Sequence, residues 1–293
     1  MLSVGHASYD LVFAVPHHPG PDEKMVADGL IGCGGGPAAN GAVMAARLGC
    51  RTAFAGYLED GIHGDLHMAE LMAEGVDTRF VMRGPDKSPL SVVLVKPGGD
   101  RALVNFPGTV EKLPEGVMDF AGIQPRVILL DGHQTALSLP LTARGVPTVL
   151  DAGSFHAQTE ALMFRVDYLV CSEKFAHQWQ GADDPLRALD ALAERSPAVV
   201  ITLGARGLIW RRGAETGSMD AFPVRAVDST GAGDAFHGAF AAALAQGLGW
   251  EDTLRQASAA GALCCEVMGA RPGLPTRSHL ARFLARQQDG DAR

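Results

Sequence analysis

Lysine is scarce in this chain, with five residues in 293, and acidic side chains outnumber basic ones to give a net charge of −8. That balance excludes a broad basic surface of the kind that grips a nucleic-acid backbone. No apolar run approaches the roughly eighteen residues that a membrane helix requires. Met1-Leu2-Ser3-Val4-Gly5 lacks a basic stretch leading into an apolar core, so no secretory signal is read there and a cytoplasmic location is expected. The five cysteines (Cys33, Cys50, Cys171, Cys264, Cys265) are odd in number and form no C-x-x-C pair, which fits reduced, buried thiols. His63 and His67 stand four apart, but the glutamate of a zinc-protease motif is missing, and an exposed helix face is expected instead. There is no G-x-x-x-x-G-K-[ST] segment, so a P-loop is excluded. Internal repeats and Gly/Ser/Pro-rich linkers are missing too, and residues 1–293 are expected to form one domain.

What the chain does have is 47% hydrophobic residues, ample for a large core. Short β-rich runs alternate with alanine-rich helical runs, which predicts an α/β fold with a mostly parallel central sheet flanked by helices. Pro37–Leu48 reads as a helix started by proline and stopped by Gly49, followed by a strand over 52–57 and a helix over 63–74. Apolar strands are predicted at 127–131, 148–151, 168–171 and 199–202, and long helices at 233–245 and 251–267. From Gln287 the tail is polar and expected to fray. Two segments break the alternation, about 11–33 and 88–106, the latter a hairpin around Pro97-Gly98-Gly99-Asp100. Both are read as strands of a small sheet standing off the main body.

The most informative run is Asp228-Ser229-Thr230-Gly231-Ala232-Gly233-Asp234-Ala235-Phe236, which opens an alanine-rich helix. The first N–H groups of a helix lack intrahelical partners, and the helix dipole adds partial positive charge, so Gly231, Ala232 and Gly233 make an anion site. Asp234 places a carboxylate beside it, and an anion next to a base suggests phosphoryl transfer to a hydroxyl. Gly-Ala-Gly-Asp taken alone is equally compatible with an ordinary loop and helix start.

The full run resembles the C-terminal signature of the ribokinase (PfkB-type) family of carbohydrate and nucleoside kinases, and the resemblance extends over about residues 1–285. It implies a ribokinase-like fold in which the small sheet is a lid, with Mg2+ and ATP as cofactor and co-substrate. Gly35-Gly36-Pro37-Ala38-Ala39-Asn40 is similar to the family's sugar-binding signature, where glycines admit hydroxyls close to the backbone and Asn40 offers a donor and an acceptor. Gly32-x-Gly34 begins like a dinucleotide fingerprint, but Pro37 occupies the third glycine's place. Asp10 matches an aspartate that grips sugar hydroxyls, although by itself it reads as a turn residue. Lys24 and Asn105 fall on the expected lid as sugar contacts or as solvated surface. Thr202, Gly204 and Gly207 resemble the strand and turn bordering ATP, with Gly233 and Ser172 also on the nucleotide side. Glu173 matches an acidic position that organises magnesium through water, while Val170 stands where many members have asparagine. Asp228 and Ala270-Arg271-Pro272-Gly273 match loops that bind a potassium-like ion.

Lys24-Met-Val-Ala-Asp28, Val104-Asn105-Phe106-Pro107 and Gly269–Pro275 are similar to the ketohexokinase-like and sulfofructose kinase branch, which implies a ketose substrate. His133 stands where an arginine would clasp a sulfonate, and histidine lacks the bidentate guanidinium fork. The expected activity is ATP-dependent phosphorylation of a sugar hydroxyl with Asp234 as base. A nucleoside kinase and a non-catalytic binding relative are the alternatives, the former disfavoured because the lid offers few aromatics beyond Phe13 and Phe106. An exposed lid edge suggests a homodimer formed lid to lid.

Overall fold

The computed structural model describes residues 1–110, 112–181 and 183–291. The first half of the chain runs β1 (Leu2–Val4), β2 (Ser8–Ala14), β3 (Gly29–Gly35), α1 (Pro37–Arg47), β4 (Ala53–Glu59), α2 (Ile62–Ala73), β5 (Asp77–Gly84), β6 (Leu90–Val95) and β7 (Arg101–Phe106). It continues with β8 (Ile128–Leu130), α3 (Thr135–Leu141), β9 (Thr148–Ala152), α4 (Ala157–Met163), β10 (Tyr168–Ser172), α5 (Glu173–Gln180) and α6 (Pro185–Ala193). The last part comprises β11 (Ala198–Thr202), β12 (Leu208–Arg212), β13 (Glu215–Met219), α7 (Ala232–Gln246), α8 (Trp250–Cys264), α9 (Ala270–Gly273) and α10 (Arg277–Asp291).

Nine strands form the main sheet in the order β13-β12-β11-β10-β9-β8-β1-β4-β5. It is parallel from β11 to β5, and β12 and β13 add an antiparallel hairpin at one edge. Strands β1, β4 and β8 to β11 are buried on both faces and so read as mostly apolar runs. Leu2, Val4, Ile128, Leu130 and Leu150 point to one face, while Leu129, Val149, Val170 and Val200 point to the other. Strand order reverses at β1, which lies between β8 and β4. Open α/β sheets take their ligands outside the carboxyl ends of the strands at such a reversal.

A second sheet, in the order β3-β2-β6-β7, is the small sheet anticipated from 11–33 and 88–106. Its strands begin earlier, at Ser8, and residues 15–28 connect β2 to β3 without strand structure. Lys24 therefore lies on a loop, exposed, rather than on the sheet as expected.

Two stretches differ from the sequence reading by more than a residue at a helix end. α8 stops at Cys264 rather than continuing to Val267, because the Cys265 carbonyl accepts the N–H groups of Val227 and Asp228 at 2.7 and 3.1 Å. At the other end of the chain α10 continues to Asp291, past the point at which fraying was expected, while 292 and 293 lie outside the described residues.

Candidate active site

The site begins with a close helix crossing. α1 and α7 meet at Gly41 and Gly238, where a Cβ on Gly238 would lie 2.7 Å from Met44 Cβ and 2.8 Å from the Gly41 carbonyl oxygen. Any side chain there would push the helices apart. This contact brings Asn40 of α1 to Asp234 in the first turn of α7, and Asn40 Nδ2 donates to Asp234 Oδ2 at 2.7 Å. Asn40 Oδ1 in turn accepts from Arg271 Nε at 2.9 Å. One N–H of the Asn40 amide remains for a substrate; the acceptor assigned to it from sequence is already engaged.

The start of α7 is open. Gly231 is the N-cap with φ 80°, a left-handed conformation that favours glycine, and no side chain caps the helix. Among the described residues, the N–H groups of Gly231, Gly233 and Asp234 have no protein acceptor. Ala232 differs from expectation, since its N–H turns to the Ser229 carbonyl at 3.3 Å. The space beside Gly233, where a Cβ would point, is empty to 4 Å. Asp228 fixes this loop: Oδ1 accepts from Thr230 N and Oγ1 at 2.9 and 2.6 Å, and Oδ2 accepts from Gly269 N at 2.8 Å. Its buried carboxylate thus joins the two loops.

Burial raises the Asp234 carboxyl above the ordinary carboxylate range, while the Asn40 hydrogen bond and the charge of His237 oppose that rise. Asp10 on β2 is buried, accepts from Ser8 Oγ at 3.1 Å, and is pushed up to about 6, chiefly by burial. Strand register sets Cys33, Asp10, Ser91 and Asn105 in one row across the lid, all on one face. Gly35 lies opposite Ser8 on β3, and Gly36 caps α1. Asp131, just beyond β8, accepts from the N–H groups of His6, Ala38 and His133 at 2.7, 3.1 and 2.9 Å. His133 stacks on His6 with centroids 4.5 Å apart. Burial and then the His133 charge push His6 down to about 4, so this imidazole is neutral at physiological pH.

Thr202, Gly204, Gly207, Ala232 and Gly233 line one cavity of about 540 Å³, whose apolar walls include Phe222, Val224, Phe236 and Ala262. Ser172 and Glu173 are not among its lining residues. Ser172 instead caps α5, its Oγ accepting from Phe175 N at 3.0 Å and donating to Gly153 O at 2.9 Å. Glu173 is paired with Arg206 at 2.5 Å.

Several contributors escaped the sequence reading. Arg271 was placed in a cation loop, yet it is 4% exposed and turns inward. Its Nη2 donates to His67 Nε2 at 3.0 Å and its Nη1 lies 3.4 Å from Glu70 Oε2. His67 is accordingly buried, not on an exposed helix face. Gly34 makes the room: a Cβ there would stand 2.5 Å from the imidazole. Burial, then the Arg271 charge, holds His67 well below the ordinary histidine value. The lining segment Phe222–Val224 carried no motif, and only its apolar character could have suggested a wall.

Residues 1–277 match the sequence profile of the pfkB family carbohydrate kinases. A ribokinase from Haemophilus influenzae is 28% identical over 296 residues, spanning 96% of this chain and 97% of its own length. The Thermotoga maritima ribokinase structure superposes with TM-score 0.86 at 26% identity, covering 97% of this chain and 98% of that one. The Arabidopsis thaliana ribokinase complexed with ribose and ATP gives 0.82 at 26% identity, with 97% of each chain covered. The fold is ribokinase-like, and the chain belongs to the pfkB family of carbohydrate kinases.

Proposed function

We propose that the protein transfers the γ-phosphoryl group of ATP to a hydroxyl of a small sugar, with Asp234 as the general base. The observation that carries this reading is the Asn40–Asp234 hydrogen bond at the uncapped start of α7. It holds a carboxylate beside N–H groups that have no protein acceptor. A hydroxyl brought to Asp234 gives up its proton as its oxygen attacks phosphorus. Charge gathering on the transferring group meets the N–H groups of Gly231, Gly233 and Asp234. One such donor is typically worth about 3 to 4 kcal/mol of barrier. Nucleotide would occupy the cavity lined by Thr202, Gly204 and Gly207, its base against the apolar walls and its phosphates toward Gly233. Sugar would lie under the lid, gripped by Asp10, by the backbone at Gly35 and Gly36, by Asn40 and by Asn105.

Among the described residues no three histidine, cysteine or carboxylate side chains gather into a metal site. That donor set suits magnesium held mainly by phosphates and waters, with Glu173 the outer carboxylate once it releases Arg206. When bound, magnesium neutralises charge on the phosphates. A potassium-like ion would take carbonyl oxygens of the loops joined by Asp228.

For the sugar we favour a ketose, on the lid and Gly269–Pro275 segments, with Asn105 set in the Asp10 row. Ribose is the second reading, favoured by full-length similarity to ribokinases. We also propose a homodimer through the lid, whose outward face includes Leu30, Val104 and Phe106 at 59%, 69% and 46% exposure. The test of function is ADP release with Mg-ATP across fructose, tagatose, sulfofructose, ribose and adenosine. Strong turnover with one ketose supports the full reading, preference for ribose replaces the ketose, and turnover only with adenosine overturns a sugar as substrate.

A further inference from the structure

One buried ionisable pair lies beneath the anion-binding turn and takes no part in the chemistry above. His237 stands one turn beyond Asp234 on α7, its side chain 4% exposed, and Asp151 on β9 is 8% exposed. The ring nitrogens meet two backbone carbonyls: Nδ1 lies 2.7 Å from Gly233 O and Nε2 lies 3.0 Å from Val170 O. A carbonyl oxygen only accepts, so each contact asks its ring nitrogen to carry a hydrogen. An imidazole with both nitrogens protonated is a cation.

Its counter-charge is in place. Asp151 Oδ2 lies 3.2 Å from Nδ1 and has no hydrogen-bond partner, so the two meet as a charge contact and not as a hydrogen bond. β9 and β10 pair in register with Asp151 beside Val170, so the sheet itself sets the carboxylate next to the second carbonyl. If the proton moved to Asp151, the lone pair of one ring nitrogen would face a carbonyl oxygen at 3.0 Å or less, a repulsive contact. The other charged groups acting on the pair and on Asp234 include Asp131 beyond β8, Asp234 itself, and Asp10 and Arg101 from the lid. Burial raises both the Asp151 and the Asp234 carboxyls, and the His237 charge opposes each rise.

We propose that His237 is held as an imidazolium against the Asp151 carboxylate, and that this buried cation under the first turn of α7 keeps Asp234 ionised and strengthens the anion site. His237 is then a positioning and charge-setting residue, touching neither sugar nor nucleotide. Its role in turnover rests on the kinase reading; its protonation state does not.

The test uses the full chain, labelled with 15N at histidine, with the His237 signals assigned by their loss in His237→Gln. Both ring nitrogens should show the protonated signature at about pH 7. A neutral-tautomer signature near pH 7 overturns the proposal. In His237→Gln the acid limb of the kcat profile should move upward by about half a pH unit or more. Turnover at neutral pH should fall about 10-fold, with little change in sugar KM. A uniform loss of kcat with no movement of the limb assigns the residue a purely structural role and also overturns the proposal. If that variant fails to fold, Asp151→Asn supplies the second test, because removing the counter-charge should let the His237 signals titrate. Should wild-type protein transfer no phosphoryl group to any sugar, the kinase reading fails, while the spectrum still decides the charge.

Discussion

The two sides of the cleft are built on different terms. On the α7 side, polar side chains are already paired within the protein: Asn40 with Asp234 and Arg271, Arg271 with His67, and Asp228 with Thr230 and Gly269. Among the described residues, the donors left over there are one N–H of the Asn40 amide and backbone N–H groups at a helix start. On the lid side Lys24 and Asn105 are exposed, and Leu30, Val104 and Phe106 present apolar surface to water. Asp10 belongs to the lid but is buried with the other side. The difference separates reaction from recognition. On the proposed reading the reacting groups are held by the fold before substrate arrives, whereas the outer face of the lid presents apolar surface to water.

Breaking the α7 side should therefore have the largest effect. Asp234→Asn keeps an oxygen for Asn40 to donate to and should fold normally. It removes the base, so turnover should fall by at least about two orders of magnitude, as read by steady-state ADP release. Near-normal turnover would remove Asp234 from the mechanism. Arg271→Met comes next, because it strands the buried Asn40 Oδ1 and leaves Glu70 without its guanidinium. A loss of about 3 kcal/mol is expected in denaturant unfolding, discounted because Glu70 is partly exposed. The Asn40 amide would then be free to turn its oxygen toward Asp234, so kcat should fall by about 10-fold more than KM changes. An unaltered unfolding midpoint would mean that the arginine network holds nothing in place.

This division also explains what the sequence disclosed. The parallel sheet, its strands and the lid hairpin were legible because apolar runs, prolines and glycines mark them locally. Asp234 and its glycines were legible because a helix start is a local device. Arg271, His67 and Glu70 were not, since they come from α9 and α2 and meet only after β3 packs on both; the signal was Gly34, whose missing side chain admits His67. Ser172 was read toward the nucleotide when its hydroxyl is used as a helix cap. Val267 was read as helical because propensity continues through it, while the Cys265 carbonyl is engaged by Val227 and Asp228 in a contact that no local pattern encodes.

Asp10 belongs to both sides of the cleft. Its carboxyl is pushed up to about 6, mainly by burial. As a hydroxyl acceptor it should grip sugar only when ionised, so sugar KM should rise as pH falls through about 6. Asp10→Asn should show a raised but flat KM across that range. For stability the sign is opposite: a carboxyl raised in the folded state favours folding while protonated. Its contribution is present below the unfolded value of about 4 and is lost as pH rises toward about 6. Asp10→Asn should therefore remove a decline in unfolding free energy over that window. A wild-type KM that stays level through it would place Asp10 outside the sugar site.

The outer lid face should give the smallest effect on chemistry and the clearest one on assembly. Val104 and Phe106 lie on β7 and, by register with Val92 and Leu90, on the face opposite Asp10. Covering two such side chains with a second lid would gain about 2 kcal/mol each in apolar burial, a sizeable part of a modest dimer interface. Val104→Glu would place a charge in that contact while leaving the Asp10 row untouched. Its mass by light scattering should fall from dimer to monomer, with kcat within about two-fold of wild type, as expected of a surface change away from the reacting groups. If wild-type protein is already a monomer, the exposed lid row has another use. If instead kcat collapses along with the dimer, the lid does more than recognise sugar, because the second copy is then needed to hold it over a reaction centre that α7 alone does not complete.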